Sequence, residues 1–287
     1  MQHSIVIRQR ARRSSAFAKL PAYGCVIPWA IVVCIPLAIV VVGSVKSSLE
    51  LFSDPLALPH QVQWSNFIDA WQKAALGSAL FNTFLLTVCS VAGLVLFGSM
   101  AAYPLARRTG PLYKYAYLYF ISGVLLPFGL SVVPLYLLMI NLNLANTYQG
   151  VILLYIAGSL PLVIFLYTGF LKTIPRELED AARIDGANRF QTFWIVIFPL
   201  LTPVTATVII ITSLGIWNDF FTPLIFLQNE ENQTLQLAIR TFVGAYGENN
   251  WPLIFASLMV ASLPMVVAFL FLQKYFVKGL TGGAVRG

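Results

Sequence analysis

Charge is scarce in this sequence. Of 287 residues only 10% are Asp, Glu, Lys or Arg, while 58% are hydrophobic; about a quarter of an ordinary soluble domain is charged. A water-soluble fold of this length could not hide so much apolar surface, so the outer faces call for lipid as their solvent. Histidine is nearly absent: His3 and His60 both lie outside the long apolar runs. That removes the imidazoles an intramembrane metalloprotease or a triad hydrolase requires. Cysteine is limited to Cys25, Cys34 and Cys89, all in apolar stretches and without C-x-x-C spacing. Neither a zinc site nor a disulfide framework is indicated, and the three read as small buried hydrophobes.

What is present is a series of apolar runs of membrane-spanning length, about 20 residues or more each. The first, Tyr23 to Val45, follows Arg8, Arg10, Arg12, Arg13 and Lys19. It is too long for a signal-peptide core of about 7–15 residues and has no small-residue cleavage site, so it reads as an uncleaved helix. The second lies within Ala74–Ala106. From Tyr115 to Leu171 no residue is charged, which accommodates two crossings, Tyr115–Ile140 and Tyr148–Leu171, with Asn141, Asn143 and Asn146 marking the turn at the water boundary. The fifth falls within Phe193–Trp217 and the sixth within Pro252–Phe276. Phe220–Leu227 is apolar but too short to span, and reads as an interfacial or re-entrant piece. The expectation is an all-α membrane protein of six transmembrane helices: a segment 1–22, a six-helix domain 23–276 and a tail 277–287.

Lys and Arg are unevenly shared between the two sides of such a bundle. Fifteen fall on the side of the termini, the loop after helix two and the loop after helix four; only Lys46, Lys73 and Arg240 fall on the other. This bias places both termini in the cytoplasm. The net charge of +7 is therefore read as topology and attraction to anionic headgroups, not as a nucleic-acid surface. None of the six helix cores contains Asp, Glu, Lys, Arg or His. Ion-coupled transporters and proton pumps usually carry such a group, so any uphill transport would draw its energy from another subunit. Pro104, Pro127, Pro134, Pro161, Pro199, Pro203 and Pro264 can each kink a helix or be absorbed by packing. Gly98 and Ala102 form a small-xxx-small pair suited to close helix contact.

The loop after helix four carries the most specific pattern. Pro175 suits a helix start, Glu177, Glu179 and Asp180 follow where a helix dipole favours acids, and Asp185-Gly186 is a helix stop. Leu178, Ala181, Ala182 and Ile184 can form a small apolar face, and a second helix leads through Phe190 and Phe193 into the fifth span. The segment resembles the EAA loop of ABC importer permeases: Asp180-Ala181-Ala182, then Gly186 four residues on, then Val196-Ile197-Phe198-Pro199 in place of an Ile-x-Leu-Pro element. Asp stands for Glu, Val for Ile and Phe for Leu. Trp217-Asn218-Asp219-Phe220-Phe221-Thr222-Pro223-Leu224 resembles a segment of sugar-importer permeases. The tail from Tyr275 to Gly287 is similar to that of the smaller permease of maltose-type importers.

The resemblance implies a type I-like importer fold whose loop helix docks on an ATP-hydrolysing subunit, with Glu179, Asp180, Ala181, Ala182, Asp185 and Gly186 at the contact. Asp180 would pair with a basic residue of the partner, with Glu179 able to share that role. It further implies that Gly282, Gly283, Ala284 and Val285 enter the ATPase interface as an extended backbone. The implied assembly is a second permease, an ABC ATPase dimer holding ATP and magnesium, and an extracytoplasmic solute-binding protein delivering a carbohydrate. This subunit would be no enzyme and bind no cofactor, in a bacterial or archaeal cytoplasmic membrane. Asn82 and Asn218 are polar groups able to face a solute path or to hydrogen-bond between helices. Glycerol-phosphate, polyol and peptide importers stay open as alternatives, as does a stand-alone secondary transporter.

Overall fold

The computed structural model describes residues 20–125, 128–244 and 249–284. Its regular structure is helical: α1 (Leu20–Gly43), α2 (Ser48–Ser53), α3 (Ser65–Lys73), α4 (Leu76–Arg107), α5 (Pro111–Val124), α6 (Phe128–Asn141), α7 (Tyr148–Leu171), α8 (Glu177–Ile184), α9 (Arg189–Leu200), α10 (Thr202–Trp217), α11 (Phe221–Phe226), α12 (Leu235–Ile239) and α13 (Trp251–Ala284). Among the described residues α1, α4, α7 and α13 are each long and apolar enough to cross a bilayer. The pairs α5–α6 and α9–α10 reach six crossings when each bent pair counts as one. The third and fifth expected spans are thus not single helices. Fourteen-residue α5 and α6 meet at 104°, and α9 and α10 at 73°. Phe221–Phe226 forms a short helix where an apolar piece too short to span was expected.

The bend at Leu201 has a local cause. Pro199 and Pro203 flank it, each lacking a backbone N–H and each crowding the preceding turn. Just before Pro199 the ladder widens to a π-helical stretch, Thr192–Ile197, a rare feature of helices. Pro104, Pro134, Pro161 and Pro264 run inside continuous helices, so one missing donor at a time is tolerated.

The chain divides into two compact units. One comprises the described residues up to Ala70 together with Phe242–Met259. Here Lys46 is 1% exposed, its ammonium donating to the carbonyls of Asp54 at 2.8 Å and Pro55 at 3.4 Å. Asn66 Nδ2 donates to the carbonyls of Ser44 and Lys46, so the turn after α1 is closed by side chains. A Cβ at Gly43 would lie 2.6 Å from the ring of Phe255, which seats the start of α13 against the end of α1.

The other unit comprises Trp71–Thr241 and the chain from Val260. Its centre is the pair α4 and α7. The buried face of α4 carries Ala79, Thr83, Ser90, Gly98, Ser99 and Ala102, while Phe81, Phe84 and Phe97 are exposed on the opposite side. Leu76, Leu86 and Leu94 are buried on the same helix; the small residues between them let a neighbouring helix approach, and the outward phenylalanines suit lipid. Cys34 and Cys89 are also exposed, correcting their reading as buried hydrophobes; lipid is as good a solvent for a thiol as a protein core. A Cβ at Gly93 would lie 2.5 Å from Ile156, and one at Gly98 would overlap Val163. The small-xxx-small pair is therefore a real helix contact. Tyr167 donates to Thr205 Oγ1 at 3.0 Å, fixing α7 to α10.

Asn143 and Asn146 take left-handed backbone angles in the α6–α7 turn, which Asn tolerates better than most residues. Asn146 Oδ1 accepts from the amides of Gln228 and Asn229, so this turn also anchors the chain after α11. Because Gly98 has no room for a side chain, Gly98→Val should destabilise the fold by about 1–3 kcal/mol. A lowered melting temperature in detergent, partly restored by Val163→Ala, is the expected result. An unchanged melting curve would contradict the close contact.

Candidate functional site

Two features of the second unit stand out: the α8 loop, and a cavity among α6, α7, α10 and α11. The loop is built from local rules. Glu177, Glu179 and Asp180 occupy the first turn of α8 and Arg183 the last, complementing the helix dipole. Pro175 precedes the helix, which begins at Glu177. At its end the amide of Gly186 donates to Arg183 and that of Ala187 to Ala182, with Gly186 at φ +85°. This is the left-handed helix stop that glycine adopts without a steric penalty. The next helix opens with a reciprocal cap: Asn188 Oδ1 accepts from the amides of Phe190 and Gln191, and Gln191 Oε1 accepts from that of Asn188. Asn188-x-x-Gln191 is legible in the sequence as a capping box.

The two neighbouring acids of α8 do different things. Glu179 is 4% exposed. One of its oxygens lies 2.5 Å from Arg107 Nε, and the other accepts from the Tyr103 hydroxyl at 2.8 Å. Arg176 adds a hydrogen bond to the carbonyl of Arg107. Glu179 thus ties α8 to the end of α4. Asp180 is exposed and pairs with Arg183 at 3.1 Å. Ala182 turns inward beside Glu179, while Leu178, Asp180, Ala181, Asp185 and Gly186 face outward. Ile184 is 86% and Phe190 71% exposed. Of the apolar face expected from the sequence, Leu178, Ala181 and Ile184 are exposed and Ala182 is buried. Behind this face Tyr103 packs on Phe193, and Phe193 on Trp194 and Phe198, at ring separations of 4.9–6.0 Å.

The cavity encloses about 710 Å³. Its polar groups are Tyr155 and Ser159 of α7, Thr212 of α10, and Asp219 and Thr222 at the start of α11. Asp219 Oδ1 accepts from the amides of Phe221 and Thr222, so the carboxylate caps α11 while lining the space. Asp219 is the one charged group among the described lining residues. Gly129, Gly158 and Gly215 complete the wall. A Cβ on any of the three would meet nothing within 4 Å. They are required neither by packing nor by a positive φ, although glycine inside a helix costs roughly 1 kcal/mol relative to alanine. Their effect is to leave the space open.

Neither asparagine singled out from sequence lines this cavity. Asn82 is buried, its amide donating to the carbonyls of Glu231 and Gln233 at 3.0 Å; with Thr83, which accepts from the amide of Leu235, it holds the loop before α12. Asn218 is exposed and donates to the carbonyl of Leu214. Gly282, Gly283 and Ala284 continue α13 as helix and do not form the extended backbone expected of them; Val285 lies outside the described residues.

The unequal burial of the two acids has a measurable consequence. Glu179→Gln should leave the Arg107 guanidinium buried without its counter-charge, costing about 3–5 kcal/mol locally. Amide exchange across residues 177–184 should then accelerate. Asp180→Asn, removing an exposed pair, should change stability by no more than about 0.5 kcal/mol. Equal effects from the two substitutions would refute the assignment.

The description "Binding-protein-dependent transport system inner membrane component" matches residues 94–282, which include α8, its glycine stop and the cavity. The chain is 44% identical over 262 residues to the melibiose/raffinose/stachyose import permease protein MelC of Bacillus subtilis (strain 168), spanning 90% of this chain and 94% of the relative. It is 35% identical to the probable starch degradation products transport system permease protein AmyC of Thermoanaerobacterium thermosulfurigenes, spanning 88% and 91%. In fold it matches a chain of the crystal structure of a bacterial ABC transporter involved in the import of the acidic polysaccharide alginate. The TM-score is 0.80 with 21% identity, over 92% of this chain and 98% of the other. The family match and the MelC relationship, joined to apolar helices and a glycine-stopped loop, lead to one conclusion: this chain belongs to the family of inner membrane components of binding-protein-dependent transport systems.

Proposed function

We propose that this chain is one of two membrane-spanning subunits of an ATP-driven importer for an uncharged oligosaccharide. A second permease would complete the solute path, an extracytoplasmic binding protein would deliver the sugar, and an ABC ATPase dimer holding ATP and magnesium would drive the cycle. The observation that carries the ATPase contact is the outward face of α8, where Asp180, Ala181, Ile184 and Gly186 are presented while Glu179 ties the helix inward. The Lys and Arg bias supports a cytoplasmic position for this loop and for both termini, in a bacterial or archaeal cytoplasmic membrane. In this reading the segment from Gly282 belongs to the ATPase interface.

The choice of a carbohydrate rests on the relatives, among them the melibiose/raffinose/stachyose permease and the starch-product permease. The cavity supports the uncharged class. It offers hydroxyls, a phenol and one carboxylate with no Lys or Arg among its described lining residues, suited to sugar hydroxyls but unfavourable to a phosphate or a uronate. This disfavours glycerol phosphate among the alternatives.

Two substitutions test the two halves of the proposal. Gly158→Leu places a side chain into open space, so the assembled complex should form normally while uptake falls by about tenfold or more, equivalent to 1.4 kcal/mol. Uptake at the wild-type rate would remove the cavity from the path. Gly186→Val forces a β-branched residue into positive φ, a strained conformation costing about 1–3 kcal/mol. It should abolish stimulation of ATP hydrolysis by the loaded binding protein while basal hydrolysis continues. Normal stimulation with normal uptake would count against docking through α8.

A further inference from the structure

A second cavity, of about 560 Å³, lies beside the joint between α4, α8 and α9. Its charges are unbalanced. Arg107, Arg108, Arg183 and Arg189 line it against a single carboxylate, Glu179. That carboxylate is already shared between Arg107 and Tyr103, and Arg183 already reaches Asp180. Arg108 stacks over the Tyr113 ring at 5.4 Å, an interaction that leaves its charge uncancelled. No acid pairs with Arg189 among the described residues. The decisive group is Arg107. Its side chain is nine-tenths buried, yet Nη2 has no hydrogen-bond partner among the described residues. A buried guanidinium nitrogen without an acceptor is an unfilled demand for an oxygen.

Apart from Tyr103, whose hydroxyl is engaged by Glu179, the remaining lining is apolar: Met100 and Pro104 of α4, Phe190 and Phe193 of α9. Arg107 is the last residue of the 32-residue apolar helix α4, which at about 48 Å exceeds the hydrocarbon core, so the guanidinium cluster lies at or beyond the headgroup boundary and Met100, about two turns back, lies nearer the acyl chains. Oxygen demand and positive charge at the mouth, with apolar contact beneath, describe a phosphate that carries a hydrocarbon tail. Guanidinium groups suit it because their planar fork matches phosphate oxygens.

We infer that this cavity binds the phosphate headgroup of an anionic membrane phospholipid, which supplies the acceptor missing at Arg107 and reinforces the attachment of α8 to α4. The inference rests on the membrane placement of α4 and not on the identity of the solute. Its consequence is that the bilayer's anionic lipid acts on the same joint that the α8 loop depends on.

The test uses the complete chain purified with its partner subunits in a neutral detergent. Native mass spectrometry should show phosphatidylglycerol retained in preference to phosphatidylcholine, and the melting temperature should rise with the former only. Arg108→Gln and Arg189→Gln leave the Glu179 contacts intact; each should reduce the preference by about fivefold, as expected for the loss of one basic residue near an anionic surface. Equal retention of the two lipids, or a preference unchanged in the double variant, overturns the inference. So does displacement of phosphatidylglycerol by millimolar inorganic phosphate, which would mark a site for free anions. Lipid retained by the isolated chain but expelled by the ATPase subunits would assign the cavity to a protein side chain, and also overturns it.

Discussion

The chain hinges on one buried carboxylate. Glu179 sits between the Arg107 guanidinium and the Tyr103 hydroxyl, and this is where a short surface helix becomes mechanically part of a long apolar one. A charge in such a place is tolerable only while its counter-charge stays close, because separating them strands both in a poor solvent. The joint therefore resists sliding and rotation of α8 against α4. The stiffness extends further along two routes. Through Gly93 and Gly98, α4 is interlocked with Ile156 and Val163 of α7; through Tyr103 and Phe193 it stacks on the start of α9. The α8 joint is thereby continuous with three helices of the second unit, α4, α7 and α9.

Glycine serves opposite ends within this unit. At Gly93 and Gly98 the missing side chain lets α7 approach α4, and any addition collides with a neighbour. At Gly129, Gly158 and Gly215 it lets nothing approach, and an addition would meet only space. Helices that pack tightly on one side and stand open on the other are suited to enclosing a cavity inside a membrane domain, where no hydrophobic collapse competes to fill it.

Much of this was legible in the residues alone. The lengths of the uncharged runs locate the crossings, since a buried charge is too costly to be scattered at random. Asp185-Gly186 announces the helix stop seen at φ +85°. The bend between α9 and α10 was hidden because a proline inside a continuous helix and a proline at a corner look alike; only the pairing of Pro199 with Pro203 around Leu201 distinguishes it. The division of labour between Glu179 and Asp180 depends on the rotational phase of α8 against α4, which no local pattern records. Asn82 reads from sequence either as a path residue or as a hydrogen bond between helices, because a buried amide in an apolar helix demands a partner. That partner is the backbone near Glu231 and Gln233, about 150 positions away, beyond any periodicity.

The three open glycines carry an implication of their own. In most proteins the size of a binding space is set by the side chains that fill it, so enlarging or shrinking it disturbs the core that folds the molecule. Here three of the wall positions are glycines on α6, α7 and α10, where an added Cβ would meet nothing within 4 Å. If the cavity is the solute path proposed above, single-codon changes at these positions would adjust its bore while leaving the fold alone, so solute range and structural integrity would vary as separate traits.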